Sequence, residues 1–135
     1  ILDRDNRRTR HAFREIVRRL EPEVRLTPMQ GIVFAQLSPE GAAEALRILG
    51  AHGVPTEREL TPLRRYALAC PALPTCGLSL AESERALPGV LDSLAPLFAE
   101  LGIDDVPLTV RMTGCPNGCA RPYNADIGFV GRRPG

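Results

Sequence analysis

The apolar residues near the start of the chain recur at the spacing of one helix face: Phe13, Ile16, Val17 and Leu20. This spacing predicts an amphipathic helix over residues 9–20, with the intervening arginines on its solvated face. Two short apolar runs follow, at residues 24–26 and 32–37, with the turn-like TPMQG between them. These runs predict two short strands joined by a tight connection.

Ser38 and Pro39 predict the start of a second helix, because serine is a common N-cap and proline is tolerated at the first helical position. This helix is expected to run to about Leu49 and to stop at Gly50. The first fifty residues therefore follow the order helix, strand, strand, helix. That order accounts for most of a βαββαβ ferredoxin-like half-domain, over residues 1–56, whose first strand is missing or frayed.

The second part of the chain mixes both element types. Residues 53–61 are predicted to form a linker, and the PLRRYALA that follows predicts a short helix ending at Cys70. A long helical pattern then covers residues 78–101, and Pro88 and Pro96 predict that this helix is bent or split. β-Branched content and alternation predict two later strands, over residues 106–113 and 125–131. The predicted fold class is α+β.

Composition narrows the class of protein. A length of 135 residues suits one ordinary domain, and a net charge of +1 argues against a nucleic-acid-binding surface. The chain contains no lysine, which excludes any reaction that needs a lysine from it. No apolar run approaches the roughly 20 residues that span a membrane. Because the chain opens on apolar residues without a methionine, we expect it to be part of a longer polypeptide.

The four cysteines carry the candidate chemistry. With no export signal at the start of the chain, they favour a reducing cytoplasmic location, where thiols bind metals more often than they form disulfides. They fall in two pairs, Cys70-x5-Cys76 and Cys115-x3-Cys119. Neither spacing matches a zinc knuckle or a ferredoxin run. A disulfide, a zinc site and simple packing stay open, but four thiolates from two loops suit an iron–sulfur cubane better than zinc.

Other candidate ligands are weaker. Cys70 and Cys76, taken alone, can also be buried structural thiols. His11 lies on the arginine-rich helix face and His52 in the linker, so both are expected to be solvated rather than ligands. In contrast, Gly114, Pro116 and Gly118 predict a tight turn around the second cysteine pair. A turn so rich in glycine indicates close approach of another group to the backbone.

Both cysteine loops resemble the cluster-binding part of sirohaem sulfite and nitrite reductases. The resemblance is carried by ACPALPTCGLSLAESERALPGVL at residues 69–91 and VRMTGCPNGCARPYNADIGFVG at 110–131. The family signature is TGC-x3-C followed, after six further residues, by an acidic, an apolar, a glycine and an apolar residue. Asp126, Ile127, Gly128 and Phe129 supply the last four.

The resemblance implies a ferredoxin-like half-domain followed, over residues 57–135, by the N-terminal part of a sirohaem- and iron–sulfur-binding α/β domain. It also implies that all four cysteines ligate a 4Fe-4S cluster: Cys70, Cys76, Cys115 and Cys119. Cys119 would in addition be the axial ligand of sirohaem iron. Asn117 and Gly118 are placed to meet the rim of the macrocycle, and Gly114 and Gly118 to let cofactors approach the backbone.

The implied reaction is the six-electron reduction of sulfite to sulfide, and the CPALPTC loop and CARPY favour sulfite over nitrite as the substrate. Alternatives are a sirohaem nitrite reductase, and an iron–sulfur or zinc module without catalysis. The implied partners are the remaining half of the polypeptide and a ferredoxin or flavoprotein electron donor. The family's cage of basic residues for the anion matches no arginine here, Arg121 included, so we expect the chain alone to be inactive and able to fold without its cofactors.

Overall fold

The computed structural model of the protein describes Asp3 and residues 6–133. The chain divides into two compact units, one ending at Glu59 and the other beginning at Leu60. Helices and two small sheets are both present, which confirms the predicted α+β class. None of the helices in the described ranges is both long enough and apolar enough to cross a membrane.

The first unit holds two helices and a β-hairpin: α1 (Thr9–Leu20), β1 (Glu23–Leu26), β2 (Ile32–Ala35) and α2 (Pro39–Ala51). The two strands pair antiparallel, with Glu23 opposite Ala35. The core forms where α1 and α2 meet, around Ile16 and Ile48, both almost fully buried. Apolar side chains from α1, α2 and β2 thus close one small core, whereas the side chains of β1 are exposed.

The elements of this unit lie where the sequence predicts them, with two differences at the end of α2. The helix continues through Gly50 to Ala51, and the chain turns where the N–H of Val54 bonds the carbonyl of Leu49 at 2.9 Å. His52 ends this helix instead of lying solvated in a linker. It is half-buried, and its Nε2 lies 3.0 Å from a carboxylate oxygen of Glu15. His11 is exposed, as expected, and its ring bonds Asp3.

The second unit is built on three short parallel strands in the order β3-β4-β5. Its elements are α3 (Pro62–Arg65), β3 (Ala67–Ala69), α4 (Leu87–Glu100), β4 (Val110–Thr113) and β5 (Ile127–Val130). One-turn 3₁₀ helices lie at Glu57–Glu59, in the first unit, and at Pro122–Asn124. Helix α4 covers one face of the sheet, where Leu91 and Phe98 pack in a core that includes Val110.

Two expectations for this unit are wrong. Residues 67–69 are a strand and not the end of a helix, because pairing with β4 overrides the helical propensity of Ala-Leu-Ala. The helix expected over residues 78–101 forms only from Leu87 onwards. Residues 78–86 instead bond the neighbouring loop and strand, for example through the Ser83 hydroxyl, which donates to the carbonyl of Met112 at 2.6 Å. Pro88 consequently lies in the first turn of α4, where it breaks no bond.

Candidate functional site

The two cysteine loops begin at the same edge of the parallel sheet. Cys70 directly follows β3, and Gly114 and Cys115 directly follow β4, which is the central strand. Because parallel strands end at one edge, both loops leave the sheet side by side. The unpredicted strand β3 therefore explains how two loops more than forty residues apart in the sequence become neighbours.

The sulfur of Cys70 is buried among hydrogen-bond donors. The side chain is 7% exposed, and its Sγ lies 3.3 Å from the amide nitrogen of Gly114 and 3.5 Å from the hydroxyl of Thr113. Burial by itself raises the pKa of a thiol. Here the hydrogen bonds, first from Thr113 and then from Gly114, outweigh burial and lower the pKa of Cys70. The site thus favours the thiolate, the form in which cysteine binds metals.

Gly114 connects the two loops through its backbone. Its carbonyl accepts hydrogen bonds from the amides of Leu80 and Ala81, at 2.8 and 3.0 Å. A Cβ on Gly114 would lie 2.5 Å from the carbonyl oxygen of Ala81 and 2.6 Å from the Cβ of Ala72. The group that approaches this glycine is thus the first cysteine loop. The expectation that Gly114 makes room for a cofactor is replaced by this packing within the protein.

A small apolar cluster around Cys70 includes residues from the segments that carry Cys76 and Cys119. It contains Leu68, Cys70, Ala72 and Ala120, all buried. Ala120 adjoins Cys119 in the sequence, and Ala72 lies in the loop that leads to Cys76. The amide of Cys76 bonds the carbonyl of Ala72 at 2.7 Å, which closes a tight turn. Each of the other three cysteines therefore follows or adjoins a segment that packs against Cys70.

The turn from Cys115 to Cys119 has one buried and one open end. Cys115 is buried, whereas Asn117 and Cys119 are exposed. Gly118 has a φ of 67°, which favours glycine, and a Cβ there would lie 2.8 Å from the ring of Tyr123. The Tyr123 hydroxyl donates to the carbonyl of Pro116 at 3.1 Å. Tyr123 thus holds the turn, and leaves the Cys119 sulfur accessible.

All four cysteines are free thiols. Within the described ranges, no three or more histidine, cysteine, aspartate or glutamate side chains are arranged so that they could hold a metal ion. The structure thus brings the backbones of the cysteine loops together, but the four sulfurs do not converge on one point that a metal ion could occupy. The chemistry of the possible ligands nevertheless fits an iron–sulfur cluster. Four thiols lie on two loops that meet at Cys70, and the Cys70 sulfur already accepts N–H and O–H hydrogen bonds.

Asp126 has a structural role that its position in the motif did not predict. Its carboxylate accepts hydrogen bonds from the amide and the hydroxyl of Thr109, at 2.7 and 2.6 Å, and its own amide donates to that hydroxyl at 3.0 Å. These bonds, first from the hydroxyl and then from the amide, lower the pKa of Asp126. They join the residue before β4 to the residue before β5, and so fix the register of β5 against β4, the strand that leads into the TGC turn.

Comparison with known proteins finds sulfite reductases that are similar over the whole length of the chain. A protein named sulfite reductase (ferredoxin) from Synechococcus elongatus is 48% identical over 134 residues, which are 99% of this chain and 22% of that protein. One named sulfite reductase (NADPH) hemoprotein beta-component, from Staphylococcus haemolyticus, is 42% identical over 135 residues, 24% of its length. No family model matches the chain.

The structure is similar to that of the NirA protein of Mycobacterium tuberculosis, with a TM-score of 0.73 and 31% identity. The match covers 90% of this chain and 22% of that one. Over its full length the chain is therefore homologous to part of the sulfite reductases that its two cysteine motifs resemble. It spans about a quarter or less of the length of the relatives it matches.

Proposed function

We propose that the chain is the part of a sulfite reductase that holds a 4Fe-4S cluster and the axial ligand of sirohaem, in a cytoplasmic enzyme that reduces sulfite to sulfide. On this proposal residues 1–56 are a ferredoxin-like half-domain, and residues 57–135 begin the cofactor-binding domain. The homologues named sulfite reductase support the reaction class.

The observation that carries the proposal is the grouping of both cysteine loops around Cys70. Gly114 precedes Cys115 and bonds the Cys70 sulfur, while Ala72 and Ala120, from the segments of Cys76 and Cys119, pack against Cys70. Cysteines that only filled space in the core would not require the two loops to meet at one sulfur. The cluster, when bound, would store and pass single electrons, and the sirohaem would bind the anion and receive them.

On this proposal, the buried cysteines and the exposed cysteine of the chain would have different roles. Cys70 and Cys115 are buried, so they would hold the cluster away from water. Cys119 is exposed, which suits a sulfur shared between the cluster and the sirohaem iron. Asn117 is exposed and Gly118 half-buried on the same turn, where they would line the edge of the macrocycle.

The substrate site and the electron donor would lie outside this chain. The chain has no lysine, and its arginines match no motif of the family's anion cage, so the rest of the polypeptide would bind sulfite or nitrite. The loop sequences favour sulfite. A ferredoxin or a flavoprotein would supply the electrons, and the chain by itself would be inactive.

The test uses the full-length polypeptide, produced anaerobically in cells that make sirohaem. We expect sirohaem absorption, and release of sulfide from sulfite when a strong chemical reductant is supplied. Cys119→Ser should abolish sulfide release and disturb the sirohaem spectrum. Thr75→Ser, in the exposed part of the first cysteine loop, should leave both unchanged. A colourless protein, or a Cys119→Ser variant that reduces sulfite normally, would contradict the proposal. Formation of ammonia from nitrite, with no sulfide from sulfite, would show that the substrate is nitrite and not sulfite.

A further inference from the structure

Thr113 is a buried polar residue at the last position of strand β4. It is 1% exposed. A hydroxyl in such a place is costly unless it forms a hydrogen bond. The one hydrogen bond of the Thr113 hydroxyl within the described part of the chain is the donation to the Cys70 sulfur, at 3.5 Å. A valine would suit a buried strand position equally well, so the hydroxyl needs an explanation beyond packing.

The alternative side-chain donor near Cys70 is already engaged. Ser83 is also fully buried, but its hydroxyl donates to the carbonyl of Met112 at 2.6 Å. A hydroxyl carries one proton, so Ser83 cannot donate to the sulfur at the same time. The donors that face Cys70 are therefore backbone amides, those of Gly114 and Ala72, which no substitution of a side chain removes, and the hydroxyl of Thr113.

We propose that Thr113 is a positioning residue that sets the reduction potential of the cluster through the sulfur of Cys70. This inference rests on the proposed function, because it needs a cluster on that sulfur. A hydrogen bond to a ligand sulfur withdraws electron density from it and stabilises the reduced, more negative cluster. Thr113 thus raises the reduction potential.

The test compares three forms of the full-length holoprotein. Thr113→Val removes the hydroxyl and keeps the branched shape, whereas Thr113→Ser keeps the hydroxyl and removes a methyl group. Iron and acid-labile sulfide are measured first, and the reduction potential is then measured by a redox titration followed by electron paramagnetic resonance. We expect the valine variant to carry a full cluster whose potential is shifted to more negative values. The serine variant should stay close to the wild type.

Several results would overturn the inference. One is a valine variant with a full cluster and an unchanged potential; another is a serine variant shifted as far as the valine variant, which would assign the effect to shape. If the valine variant loads no cluster, Thr113→Ala takes its place, and an alanine variant with an unchanged potential counts equally against the inference. A wild-type protein without iron or sulfide would instead contradict the proposed function.

Discussion

Gly114 donates its backbone N–H to the sulfur of Cys70 across 3.3 Å, and this contact joins the two cysteine loops. The carbonyl of the same residue accepts two amides from the segment after Cys76. One peptide position therefore fixes the first loop relative to the second. This position of the chain needs a glycine because no side chain fits between the loops.

Gly114→Ala should destabilise the protein and separate the cysteine loops. The added Cβ would lie 2.5 Å from the Ala81 carbonyl oxygen, which is backbone and cannot rotate away. We expect a loss of about 2 kcal/mol or more in the free energy of unfolding, measured by chemical denaturation. Gly77→Ala is the matched control, since nothing lies within 4 Å of a Cβ at that position. Equal stability of the two variants would show that the loops do not pack as described.

The bonds between Asp126 and Thr109 predict a dependence of stability on pH. The folded pKa of Asp126 is lowered, so its contribution is fully present above the ordinary aspartate pKa of about 4 and is lost as the pH falls through the folded value. Asp126→Asn should therefore be less stable than the wild type at neutral pH, and the difference should shrink below about pH 4. Thermal unfolding between neutral and acidic pH measures this.

Thr109 supplies the control for that measurement. Thr109→Val removes the hydroxyl that bonds Asp126 at 2.6 Å, whereas Thr109→Ser keeps it. The valine variant should lose part of the pH dependence and the serine variant should keep it. A wild-type stability curve that the Asp126→Asn variant follows in parallel at every pH would show that this carboxylate does not stabilise the fold.

Ser38 should stabilise the first unit as the N-cap of α2. Its hydroxyl oxygen accepts the amide of Gly41 at 3.1 Å. Ser38→Ala removes this acceptor, and we expect a loss of about 1 kcal/mol in unfolding free energy, measured by denaturation followed by circular dichroism. Ser38→Asp keeps an acceptor and adds a charge that suits a helix N-terminus. An aspartate variant as unstable as the alanine variant would argue against capping.

The fold of the first unit could be predicted because its signals are local. The periodicity of α1 and the Ser38-Pro39 start of α2 act within a few residues, and both helices begin where expected. The same reasoning failed for residues 67–69 and 78–86. Their structure depends on bonds to β4 and to Gly114, which lie about thirty or more residues away in the sequence.

The cysteines of the candidate site were found from spacing and resemblance, but their surroundings were not. The sequence indicates only that Thr113 lies in a strand and Ser83 in a helix. The packing of the sheet makes Thr113 a donor to the Cys70 sulfur and Ser83 a donor to a backbone carbonyl. Asp126 was identified only as part of a motif. Its contact with Thr109 joins residues 17 positions apart, which no local pattern indicates.

The most direct test of the central claim is the measurement of iron, acid-labile sulfide and zinc in the full-length polypeptide, purified without exposure to oxygen. The claim that four cysteines of this chain hold a 4Fe-4S cluster predicts one acid-labile sulfide for each cluster iron, one additional iron where sirohaem is bound, and no zinc. Cys76→Ser should lower both together, while Thr75→Ser should leave them unchanged. Zinc without sulfide, or four titratable thiols with no metal, would contradict the claim.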